Sequence, residues 1–160
     1  MNVEFQLDQL GLKLPLAPKP AGNYSAFVRT GDLLFLAAQI PIEDGVLRYT
    51  GRVGAELTEE QGCAAARLVA LNVLAQIQAA LGSFDRLDHL VRVEGYVASA
   101  PGWCNAPKVL DGASDLFAAV LGERGGHARS AFTPACLPLN IAVELVVTAA
   151  VKPDGSDAGR

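Results

Sequence analysis

The chain has no CxxC pair, no cluster of lysines and arginines, and no uninterrupted apolar run much beyond ten residues. Each absence excludes something. Apolar stretches near ten residues are too short to span a bilayer. Lys and Arg total 13 against 17 Asp and Glu, for a net charge of -4. An acidic chain without a basic stripe argues against a nucleic-acid surface. Met1-Asn2-Val3-Glu4-Phe5 offers neither a positive n-region nor an apolar h-region, so no secretory signal is read there and a cytoplasmic location is expected. The three cysteines, Cys63, Cys104 and Cys136, are far apart, and the two histidines, His89 and His127, stand alone, so no zinc-binding spacing exists. The cysteines read as reduced, mostly buried thiols, with no base placed to activate any of them.

What is present is material for a core. Apolar residues make up 51% and charged residues 19% of 160, enough for one folded domain. Residues 1–151 read as that domain, with 1–14 as an N-terminal extension and 152–160 as a polar tail expected to be disordered. The segment Leu14-Pro15-Leu16-Ala17-Pro18-Lys19-Pro20-Ala21-Gly22-Asn23-Tyr24 is too rich in proline for a helix and predicts an extended arm. Ala26–Arg29 and Leu33–Ala37, separated by Thr30-Gly31-Asp32, predict a β-hairpin. A further short strand is expected at Val46–Tyr49, after the turn Glu43-Asp44-Gly45.

Thr58-x-x-Gln61 has the capping-box pattern and opens an apolar stripe running to Leu81, with Gly82 as the stop. Alternation from Val91 to Val97 predicts a half-buried strand. A second helix is expected from about Pro107 to Leu121, with Leu110, Ala113, Phe117, Val120 and Leu121 inward. Strands near Ala128–Ala135 and Ile141–Val151 complete an α+β domain, two helices against one mixed sheet. Val146-Val147 and Ala149-Ala150-Val151 are apolar on successive residues, so both faces of the last strand should be covered. Two helices cover one face, which leaves the other for a second copy of the chain.

Glu144 is the only charge in Ile141-Ala142-Val143-Glu144-Leu145-Val146-Val147. A buried carboxylate is costly unless paired, hydrogen-bonded or protonated. It reads either as a catalytic acid or as a structural charge, partly exposed or ion-paired at a subunit contact. Arg129, the only permanent charge in Ala128-Arg129-Ser130-Ala131-Phe132, is its natural partner. That arginine reads either as a bidentate carboxylate holder or as half of an Arg–Glu bridge at an interface. His127, beside two glycines, reads as a solvated loop residue, and Trp103 as a loop lid or core plug.

Arg129-Ser130, then Leu137-Pro138, then Val143-Glu144 resembles the signature of the RidA/YjgF reactive-intermediate deaminase family, with the acid fifteen residues after the arginine. Gly22-Asn23-Tyr24, Leu34-Phe35-Leu36-Ala37-Ala38-Gln39-Ile40-Pro41, Asn72 and Gly82-Ser83-Phe84-Asp85 are similar to further family segments, so the resemblance runs from about residue 15 to 151. It implies a chorismate-mutase-like subunit, a homotrimer with clefts between subunits, and release of ammonia from 2-imino or enamine acids without cofactor or metal. By the same resemblance Arg129 would hold the substrate carboxylate and Glu144 would activate water, with Tyr24, Asp111 and Ser130 lining the cleft. A trimer that only binds small carboxylates is the alternative it leaves. Three departures mark a divergent branch. Asp111 replaces the usual asparagine and would repel an anion unless neutralised or turned away, Ala38 replaces a glycine, and Ala131 stands where some members carry cysteine.

Overall fold

The computed structural model describes residues 2–153, so most of the polar tail, from residue 154, lies outside the described residues. Thr58 sits in extended backbone, accepts from the Gln61 amide, and has its own amide bonded by the Gln61 side chain, a complete capping box. It starts the long helix Glu59–Leu81, which ends where Gly82 turns left-handed at φ 76°. A second helix, Ala106–Leu121, crosses it, and the two form one layer over one face of a sheet. Contact between the helices is close because Gly112 has no side chain: a Cβ there would lie 2.3 Å from the carbonyl oxygen of Cys63.

The sequence reading missed a third helix. Asn2 caps Val3–Gln9, whose Val3 and Leu7 are buried, and this short helix packs on Ala106–Leu121. In chain order the helices are therefore α1 (Val3–Gln9), α2 (Glu59–Leu81) and α3 (Ala106–Leu121). No helix or strand forms between Leu12 and Tyr24, which holds the expected arm.

The strands are β1 (Phe27–Thr30), β2 (Leu33–Leu36), β3 (Ile42–Glu43), β4 (Val46–Leu47), β5 (Leu87–Val97), β6 (Ala128–Phe132) and β7 (Val143–Val151). β3 and β4 form a separate hairpin closed by Asp44 and Gly45, both left-handed as a two-residue turn requires. The other five make one sheet in the order β1-β2-β7-β5-β6. Its pairs are antiparallel except β5–β6, which α3 connects as a parallel crossover. The result is a mixed α+β fold, a helical layer over one face of a five-stranded sheet.

Alternation along β7 assigns the two faces. Val143, Leu145, Val147, Ala149 and Val151 are buried under the helices, whereas Glu144, Val146, Thr148 and Ala150 point away and are only half-buried. On β5 the helix side takes Val93, Gly95 and Val97, with Gly95 tight against Leu110 of α3. The far side carries Arg92, Glu94 and Tyr96. Tyr96 stacks on Phe132 at 4.9 Å between ring centres, and Val28, Leu33 and Phe35 stand exposed on β1 and β2. By length and composition α2 could cross a membrane, yet most of that helix is spent on the sheet and on α3. Trp103 proves a plug rather than a lid: it is partly buried against the core and fills the space over Gly54.

Candidate functional site

Two amide side chains on α2 shape the first site. Asn72 is fully buried and donates to the carbonyls of Ile40 and Ile42, at 2.8 and 2.9 Å. One helical turn later, Gln76 donates to the carbonyl of Pro18 and fixes the extended arm. Gln39 bonds through its backbone to Leu145 in both directions, at 2.9 and 3.0 Å, which brings the Ala37–Ile40 segment alongside Glu144. Arm, segment and strand enclose a cavity of about 410 Å³ whose walls include Pro18, Tyr24, Gln39, Ile42, Leu139 and Glu144. Tyr24 folds back so that its hydroxyl accepts from the Ala21 amide at 3.1 Å.

Glu144 brings the ionisable carboxyl group to this mostly apolar cavity. Among the described residues no donor reaches its carboxylate, and desolvation alone pushes its pKa above the usual 4.5. Arg129 is not there to reverse the shift. The mouth is bordered by Leu139, exposed and left-handed at φ 58°, followed by Asn140 at φ 57°. Non-glycine residues in that region each cost on the order of 1–3 kcal/mol and persist where the surroundings hold them. Here Gly51 donates to the Asn140 carbonyl at 2.7 Å, and Ala142 to that of Tyr49 at 3.0 Å.

Arg129 belongs to a second cluster. It is in register with Val93, on the helix side of the sheet, whereas Glu144 is in register with Tyr96 on the opposite side. The expected Arg129–Glu144 pairing is therefore not made within the chain. The partner of Arg129 is Asp111 on α3, 3.0 Å from its NH1 nitrogen, and the same nitrogen donates to Ser114 Oγ at 3.0 Å. Asp111 and Ser114 are one helical turn apart, so α3 presents both to the strand. Ser114 also meets His127 Nε2 at 3.0 Å, while His127 Nδ1 donates to the Gly125 carbonyl at 2.7 Å. His127 is thus a held member of this cluster, edge-on to Phe117 at 5.8 Å between ring centres, and not a solvated loop residue.

Ser130, next in sequence, faces away and joins a third group. Arg92 donates to Ser130 Oγ at 3.1 Å and to Glu94 at 3.0 Å on the open side of the sheet. The structure brings Tyr24 together with Glu144, and Asp111 with Arg129, and leaves Ser130 apart from both. Sequence reasoning missed Ser114, Gln76 and the role of His127. The Asp111-x-x-Ser114 spacing facing a lone arginine was the signal available. Two of the three thiols also differ from expectation: Cys104 and Cys136 are exposed. Cys63 is partly buried, donates to the Lys108 carbonyl at 3.4 Å, and has its pKa raised, chiefly by burial and then by Glu59. That shift opposes nucleophilic use. Among the described residues no group of three or more His, Cys, Asp or Glu side chains is placed to hold a metal ion.

Residues 4–151 match the family described as "YjgF/chorismate mutase-like, putative endoribonuclease". The chain is 44% identical over 145 residues to Protein TCP17 of Trypanosoma cruzi, covering 90% of this chain and 91% of that one. Among solved structures it is similar to a protein of unknown function from Agrobacterium tumefaciens, with a TM-score of 0.88, 39% identity, and coverage of 94% of this chain and 92% of that one. It is also similar to RidA from an Antarctic Psychrobacter, with a TM-score of 0.59, 26% identity, and coverage of 84% and 93%. With its motifs in order and the family model spanning nearly the whole domain, the chain belongs to the YjgF/chorismate-mutase-like family, which includes RidA.

Proposed function

We propose that the protein hydrolyses reactive 2-imino acids to 2-oxo acids and ammonia, in clefts between the subunits of a homotrimer. The observation that carries the reading is Glu144, a half-buried carboxyl with no hydrogen-bond partner among the described residues, in a mostly apolar cavity that Tyr24 and Lys19 also line. Such a group has its pKa moved toward neutrality, where a general base works best. Arg129 supplies the carboxylate holder, since only one end of its guanidinium is engaged. Because Arg129 and Glu144 face opposite sides of the sheet in one chain, a site using both takes them from two chains. The open face, with Val28, Leu33, Phe35 and Phe132 exposed, supports that assembly. With a net charge of -4, phosphate binding has little support beside it.

In the proposed reaction water attacks the imine carbon, Glu144 accepts its proton, and that proton leaves with the amine. General-base catalysis of this kind contributes about 10²–10⁴-fold. Positioning by Arg129 lowers the entropic part of the barrier. The second reading, a trimer that binds small carboxylates without reacting them, also needs Arg129 but has no need of Glu144. The test generates 2-iminopropanoate in situ with an amino-acid oxidase and traps it with semicarbazide. The protein should suppress semicarbazone formation, and Glu144→Gln should lose about 10²–10⁴-fold of that effect. If wild type leaves the trapping unchanged, or if Glu144→Gln performs equally, the hydrolytic reading is wrong and the binding reading replaces it.

A further inference from the structure

Read from sequence, Asp111 argues against an anionic ligand, and its geometry changes what that charge can do. The two bonds that hold Arg129, to Asp111 Oδ1 and to Ser114 Oγ, both leave from NH1. Among the described residues, Nε and NH2 of Arg129 and Oδ2 of Asp111 have no partner. The Arg129 and Asp111 side chains are 25% and 43% exposed, so both charges are reachable from solvent. His127 settles the direction of the remaining bond. With Nδ1 donating to the Gly125 carbonyl, neutral Nε2 accepts from the Ser114 hydroxyl, and Ser114 Oγ is left to accept from Arg129. The NH1 end is thereby anchored, and the other edge of the fork is presented beside a carboxylate with a free oxygen.

A plus and a minus charge held 3.0 Å apart make a poor site for a simple anion, which gains from one and loses to the other. They make a good site for a ligand carrying both signs on adjacent atoms. We infer that Asp111 and Arg129 together recognise a zwitterionic head group, the protonated iminium form of a 2-imino acid, and discriminate against the 2-oxo acid. The inference rests on the reading of Arg129 as carboxylate holder. Its carboxylate takes the open edge of the guanidinium, and its nitrogen cation takes Asp111.

Two consequences follow for the reaction. Asp111 favours the protonated iminium, whose carbon is the better electrophile. Water oxygen bonds to that carbon and the C=N electron pair moves to nitrogen. Glu144 takes one water proton and returns it to the carbinolamine nitrogen, and the C–N bond breaks with its electron pair leaving on ammonia. The hydroxyl proton passes by way of Glu144 to that ammonia, so that iminium acid plus water becomes 2-oxo acid plus ammonium. The product has lost the cation that Asp111 held, and the remaining anion is repelled, which promotes its release.

Calorimetric titration of the full chain with 2-aminobutanoate and 2-oxobutanoate tests the charge preference without any turnover. These ligands share a carbon skeleton and differ in the positive charge at C2. Wild type should favour the amino acid. Asp111→Asn, of the same shape, should weaken 2-aminobutanoate about tenfold and tighten 2-oxobutanoate about tenfold, while Asp111→Glu should retain the wild-type preference. Circular dichroism confirms that each variant folds. An unchanged affinity ratio in Asp111→Asn overturns the inference. So does tightening of both ligands together, which would make Asp111 only a block on Arg129, and so does the absence of binding of either ligand to wild type. Failure of the semicarbazide assay with the charge preference intact removes the hydrolytic reading alone. Semicarbazone suppression that Asp111→Asn leaves untouched, with an unchanged affinity ratio, removes this one alone.

Discussion

On strand β7 two faces can be compared residue by residue. Leu145, Val147 and Ala149 lie on the side covered by α2 and are at most 1% exposed. Glu144, Val146, Thr148 and Ala150, interleaved with them, point away from the helix layer and are half-buried. The second set is half apolar, Val146 and Ala150 standing beside Thr148 and one carboxylate at the end. Burial inside one chain therefore explains five of the seven apolar residues of this strand. The remainder is a reason to seek a second surface, and Glu144 sits where that surface would close over it.

The comparison breaks most sharply at Leu145. Leu145→Ala opens a cavity beneath the helices and should cost about 2–5 kcal/mol in urea unfolding, with no new sedimenting species at temperatures where the chain remains folded. One residue along, Val146→Lys should do the reverse. The secondary structure stays native by far-ultraviolet circular dichroism, and the intrinsic cost to the chain should stay within about 1 kcal/mol. Sedimentation at micromolar concentration should then show a smaller particle than wild type. If both variants sediment as wild type does, the open face is not an interface.

The smallest effect is one of sign. Folding raises the pKa of Glu144 above 4.5, so between pH 4.5 and the raised value the folded chain binds more protons than the unfolded one. The stabilisation is full below pH 4.5 and is lost as pH rises through the folded pKa. Urea midpoints of wild type and Glu144→Gln should therefore separate with rising pH, in favour of the glutamine variant. Parallel curves would mean that the carboxyl is not desolvated.

Much of this fold was written locally. Thr58, Gln61 and Gly82 mark the ends of α2 by capping chemistry that needs no partner elsewhere, and Asp44-Gly45 supplies its own turn. The third helix escaped because α1 has only seven residues and is held by Val3 and Leu7 against α3, a contact that no local signal announces. Glu144 and Arg129 stood out as lone charges in apolar segments, but the sequence could not say which way each side chain points. Register decides that: opposite Val93 an arginine faces α3, and opposite Tyr96 a glutamate faces away. Pairing the two lone charges of neighbouring segments was a chemical guess, and Asp111, hidden in an apolar helix, was the nearer partner. His127 was misjudged for the same reason, since its two hydrogen-bond partners come from the turn before it and from α3.

The order of the strands has a consequence for how the molecule is made. β7 lies between β2 and β5, yet it is the last of the described strands in chain order. As the polypeptide leaves the ribosome, the β1–β2 hairpin and the β5–α3–β6 unit are both complete before the strand that joins them exists. Each then presents an unpaired edge, β2 from one and β5 from the other, at the stage when edges most readily find wrong partners. This strand joins two half-built sheets at once, so the sheet gains its continuity only after β7 has emerged.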